Sequence, residues 1–124
     1  MNVITLAYLG DCVYEVYIRE YLISKGIAKV DLLQKEAIKY VSAKGQVNIL
    51  TWLKNMNFLT DNELEIVKRG RNYNRDSHPK NTDIITYKLS TGFEALIGYL
   101  YINDKDRLKK MMKYILEEYN EENS

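Results

Sequence analysis

Leu6 to Tyr21 reads LAYLGDCVYEVYIREY. Leu6, Leu9, Val13 and Val16 recur at spacings of three and four, while Tyr14, Ile18 and Leu22 cover a second face. That period predicts a helix that is apolar nearly all the way round, the pattern of a buried helix. One narrow polar stripe remains. Asp11, Glu15 and Arg19 follow one another at four-residue spacing and point the same way, with Ala7 one turn earlier. Glu15 and Arg19 read as a solvated ion pair. Asp11 is different, because it follows Gly10 inside an apolar run, where an ionised carboxylate is costly unless paired or bound to a metal.

Working outward, the chain of 124 residues is long enough for one domain with a real core. Its 46% hydrophobic and 28% charged residues exclude a disordered chain. A net charge of +1 decides nothing about nucleic acid, so the distribution of charge must. The single cysteine, Cys12, excludes an internal disulfide and suits a reducing compartment. No stretch resembles a signal peptide or spans a bilayer, so a cytoplasmic protein with no membrane partner is expected.

Helical patterns follow in series. The first runs from about Val3 to Ser24 and stops at Gly26. Asp31, with Gln34 three residues on, predicts a capped start for a second, and Gly45 marks its join to a third carrying Val47, Leu50 and Leu53. Thr60 and Glu63 form the clearest capping box, opening a helix that ends near Gly70. Arg71 to Thr82 has no periodicity, holds the only proline, and predicts a long loop of the kind that is usually functional. Asp83 then caps a helix whose apolar stripe runs through Ile85, Leu89, Phe93, Leu96 and Leu100, and Asp104 starts a last one. The acidic tail from Glu117 is expected to fray. No alternating strand pattern is present. The expected fold is all-α, a single domain over residues 1–124 with about six helices.

The helix after the loop carries the second candidate. Glu94 shares a face with Thr91, Ala95 and Gly98, and such small residues let another backbone come close. Packed against Ala7, Gly10 and Asp11, that face would bring Asp11 and Glu94 into one tight, partly dry site. Two carboxylates that meet repel unless a cation or a proton joins them. Oxygen donors without a Cys or His cluster suit Mg²⁺ or Mn²⁺ better than Zn²⁺.

The stretch YLGDCVYE resembles the signature of the ribonuclease III family, and TGFEALIGYLY resembles its second motif, intact from Glu94 to Gly98. Length, and the KRGRN…KNTD…TY segment before the second motif, resemble the small Mini-ribonuclease III branch, which has no double-stranded-RNA-binding domain. The resemblance implies a compact ribonuclease III-like endonuclease domain that cleaves double-stranded RNA. It implies Asp11 and Glu94 as catalytic residues and metal ligands for Mg²⁺, with Mn²⁺ able to substitute. It also implies a homodimer with this first helix near the two-fold axis, and a role in maturing the 23S ribosomal RNA precursor, with a large-subunit ribosomal protein as a candidate partner. Two family carboxylates are missing: their positions hold Ala7 and Thr91. The rival from another class is a catalytically silent duplex-binding or dimerisation module of the same fold.

RNA contacts are expected from Lys68, Arg69, Arg71, Arg75 and Lys80, a basic cluster on a helix end and its loop. Duplex RNA is recognised mainly by shape and 2′-hydroxyls, so no base-reading motif is needed. The bland alternative is a basic helix C-terminus complementing the helix dipole. His78 reads as a surface residue and Cys12 as a small core residue. The eleven tyrosines read as packing, with Tyr73 and Tyr87 the exceptions near the loop.

Overall fold

The helix at Ile84–Asn103 (α5) is the axle of the structure, and the helix at Val3–Ser24 (α1) lies across it. Around them stand α2 (Val30–Val41), α3 (Ala43–Asn55), α4 (Asp61–Arg71) and α6 (Lys105–Glu118). The structure, a computed structural model, describes residues 1–73, 80 and 82–119; among these there is no strand. None of the described helices is long and apolar enough to cross a membrane.

Local chemistry sets the boundaries. Gly26, at a φ of 86°, ends α1 in the left-handed conformation that favours glycine. Thr60 and Glu63 close the expected capping box on α4, and the Asp83 and Asp104 side chains cap α5 and α6. The start of α2 departs from expectation. Lys29 occupies its N-cap without a side-chain bond, and Asp31 sits inside the first turn, where its charge suits the helix dipole. The α2–α3 break falls at Ser42, whose hydroxyl accepts the Gly45 N–H at 3.1 Å, so Gly45 lies within α3. Asn57 ends α3 at a φ of 58°, a C-terminal stop that the sequence pattern does not flag. The acidic end of α6 is ordered through Glu118, with Tyr119 buried behind it.

The core joins α1 to α5 through the Tyr14 and Phe93 rings, edge to face at 5.1 Å. The Tyr14 hydroxyl donates to the Tyr40 carbonyl at 3.0 Å, and burial pushes its pKa well above the usual value. Trp52, Tyr114 and Phe58 stack in series at the far end, with the Arg107 guanidinium over Phe58. Arg107 grips both carboxylate oxygens of the buried Glu63 at 2.8 Å and so ties α6 to α4.

Helix α1 is less buried than its composition predicts. Ala7, Gly10, Tyr14, Ile18 and Leu22 face inward, while Tyr8 is 80% and Val16 55% exposed, and Cys12 between them is exposed too. Cys12 is therefore not a core residue. Its spacing from Tyr8 and Val16 puts all three along one outer edge.

Candidate active site

Two backbone contacts build the site. A Cβ on Gly10 would collide with the Glu94 carbonyl, and one on Gly98 would collide with that of Leu6. Only paired glycines let α1 and α5 approach so closely, as the small residues flanking Glu94 predict. The crossing puts Asp11, the residue after Gly10, on the same opening as Glu94. Both line one cleft of about 480 Å³, together with Ile4, Thr5, Ala7, Tyr8 and Tyr87.

The two carboxylates differ in setting. Asp11 is exposed, so the site is open to solvent on the α1 side and not dry. Glu94 is half-buried, and its Oε2 accepts a hydrogen bond at 3.3 Å from Nε2 of Gln46 on α3. Gln46 is 1% exposed and does not stand out in the motif pattern. A signal for it does exist. Gln46, Ile49, Leu50 and Leu53 share a helix face, so a polar side chain stands in an apolar stripe. Ala7 and Thr91 are both buried, and the Thr91 hydroxyl donates to the Tyr87 carbonyl at 3.0 Å. Glu15 and Arg19 form the exposed ion pair expected of them, at 3.1 Å.

The donor set fits a hard divalent cation. Asp11 and Glu94 offer only carboxylate oxygen, and no group of three or more Asp, Glu, His or Cys residues gathers among the described residues. A site with few protein ligands and open solvent access suits Mg²⁺, which keeps several waters and accepts phosphate oxygens.

The basic cluster stands at a second close crossing. A Cβ on Gly70 would come within 2.8 Å of the Gly92 Cα, so the end of α4 sits closely on α5. Lys68, Arg69 and Arg71 occupy the last turn of α4, where they also complement its dipole. Lys80 is exposed. Arg75 and His78 lie outside the described residues.

An all-helical domain with this pair of motifs at one crossing has the form of a ribonuclease III catalytic domain, and that domain matches residues 4–105. The chain belongs to the ribonuclease III family, a family of endoribonucleases. It is 45% identical over 118 residues to the Mini-ribonuclease 3 of Streptococcus pneumoniae, covering 94% of this chain and 92% of that one. It is 40% identical over 124 residues to the Mini-ribonuclease 3 of Enterococcus faecalis, covering 99% and 94%. A crystal structure of a Fusobacterium nucleatum protein superposes with a TM-score of 0.78 at 31% identity, covering 92% of each chain.

Proposed function

We propose that the chain hydrolyses phosphodiester bonds of double-stranded RNA with Asp11 and Glu94 as its catalytic residues and as ligands of Mg²⁺, Mn²⁺ serving in its place. The observation that carries this is the shared cleft: two carboxylate residues from distant parts of the chain line it where α1 crosses α5. When bound, a divalent cation supplies an activated water and neutralises charge developing on the phosphate. Asp11 and Glu94 provide the negative charge that holds such a cation. The exposed side of Asp11 leaves the cleft open to a bulky duplex.

Duplex phosphates meet Lys68, Arg69, Arg71, Arg75 and Lys80, which contribute to affinity without reading sequence. The apolar outer edge of α1 at Tyr8, Cys12 and Val16 supports a homodimer in which each copy covers the other's edge and cuts one strand. By resemblance the substrate is the 23S ribosomal RNA precursor.

The direct test is a long RNA duplex incubated with Mg²⁺ and, separately, with EDTA. Fragments in the first and intact RNA in the second are expected. RNA that is shifted on a native gel yet uncut in both would make the chain a silent duplex-binding module. Sedimentation equilibrium at micromolar concentration is expected to give twice the chain mass.

A further inference from the structure

Gln46 is the buried polar side chain that the chemistry above leaves unused. Its Nε2 donates at 3.3 Å to two acceptors, the Val41 carbonyl at the end of α2 and Oε2 of Glu94. Those two oxygens fix which end of the carboxamide faces them, because the flipped amide would set oxygen against oxygen. The opposite end, Oε1, is buried with no hydrogen-bond partner among the described residues. Burying an unsatisfied acceptor destabilises a fold, so a position that served packing alone would be better filled by Leu or Met. What neither of those can do is hold a carboxylate oxygen.

We propose that Gln46 is a positioning residue, a neutral donor on α3 that fixes the Glu94 carboxylate in the orientation that receives a divalent cation. Partners of this kind orient a ligand carboxylate without touching the metal. A carboxamide is the suitable group, because a lysine or arginine there would offset the negative charge that draws the cation. The inference rests on Glu94 being a cation ligand, and the test separates the two claims.

Mn²⁺ binding to the purified protein, followed by electron paramagnetic resonance without RNA, is compared for wild type, Gln46→Met, Gln46→Leu and Glu94→Gln. Turnover of a duplex and thermal melting are measured on the same samples. Gln46→Met is expected to bind Mn²⁺ about tenfold more weakly and to lose a similar factor in kcat at limiting cation. Its KM for the duplex stays within about twofold, since a side chain buried at this depth does not touch the RNA. Wild-type Mn²⁺ affinity and kcat in either folded apolar variant would overturn the proposal. Unfolding of both would assign the Gln46 bonds to the scaffold and overturn it as well. If Glu94→Gln binds Mn²⁺ like wild type, the cation site itself is misplaced and the role of Gln46 falls with it. If Glu94→Gln loses the ion while Gln46→Met keeps it, only the role of Gln46 is wrong.

Discussion

Helix α5 is gripped at two points, and the two grips do different work. At Gly10 and Gly98, α1 meets α5 backbone to backbone, with no room for a Cβ on either side. At Gly70 and Gly92, α4 also meets it backbone to backbone, though less tightly. The first crossing puts two acidic residues on the lining of one cleft. The second anchors a basic helix end on which Lys68 and Arg69 are exposed. The lesson is that close approach of helices is a general device, and what it serves depends on the residue next to the glycine. Beside Gly10 stands Asp11, which enters the cleft; beside Gly70 stand Arg69 and Arg71, which do not line it.

The strongest way to break this contrast is to neutralise the acidic crossing. Asp11→Asn or Glu94→Gln is expected to lower duplex cleavage by about a thousandfold or more, the scale of a lost metal-centred stabilisation of several kcal/mol. Gel-shift affinity for the duplex should stay near wild type; cleavage by both variants would remove the catalytic claim from the α1–α5 crossing. A second break is steric. Gly98→Ala is expected to cost about 3 kcal/mol in urea unfolding, because the new methyl meets an unyielding carbonyl. Both substitutions gain the same helix propensity, but Gly70→Ala meets a less severe clash, so its net cost should be nearer 1 kcal/mol. Equal costs would mean that the crossings are equally tight.

The α4 side can also be loosened from behind, through Glu63. Burial pushes the Glu63 carboxyl up, but the bonds from Arg107 and Thr60 outweigh it and hold the pKa below the usual glutamate value. A depressed folded-state pKa means stabilisation that is fully present above the ordinary glutamate range. It is lost as pH falls through the lower, folded value. Glu63→Gln is expected to cost about 3 kcal/mol at neutral pH, by stranding the Arg107 charge, and to flatten the acid limb of the melting curve. An unchanged acid limb would place that titration elsewhere. The smallest effect belongs to the surface. Replacing Arg69, Arg71 and Lys80 with Gln should reduce the salt slope of duplex binding by about one for each phosphate left without its cation. A full slope would move the RNA contacts away from α4.

Period and capping chemistry made most of the fold legible from sequence. Both Thr60–Glu63 and Asp83 are local signals, complete within one turn, and they place α4 and α5 correctly. Asp31 misleads because a capping residue and a dipole-suited first-turn residue are the same residue type one step apart. Gly45 misleads because a glycine inside a helix can serve a close contact, here with the Lys39 carbonyl, and not a break. The acidic pair was legible because small residues flank both members. Gln46 was not, since its partner lies 48 residues away and a single polar residue in a stripe carries no address. The exposure of Val16 and Cys12 was hidden as well, because an apolar pattern does not say which of its faces a neighbouring helix of the same chain will cover.

Main chain against main chain at Gly10 and Gly98 has one more consequence. A separation set by peptide groups cannot drift when side chains elsewhere are exchanged for others of similar bulk. Libraries that randomise Ile49, Leu53, Met111 or Ile115 should yield variants that melt over a wide range of temperatures yet keep the spacing of the acidic pair. Durability and chemistry are thereby placed under separate control, and a sturdier version could be bred without retuning the cleft.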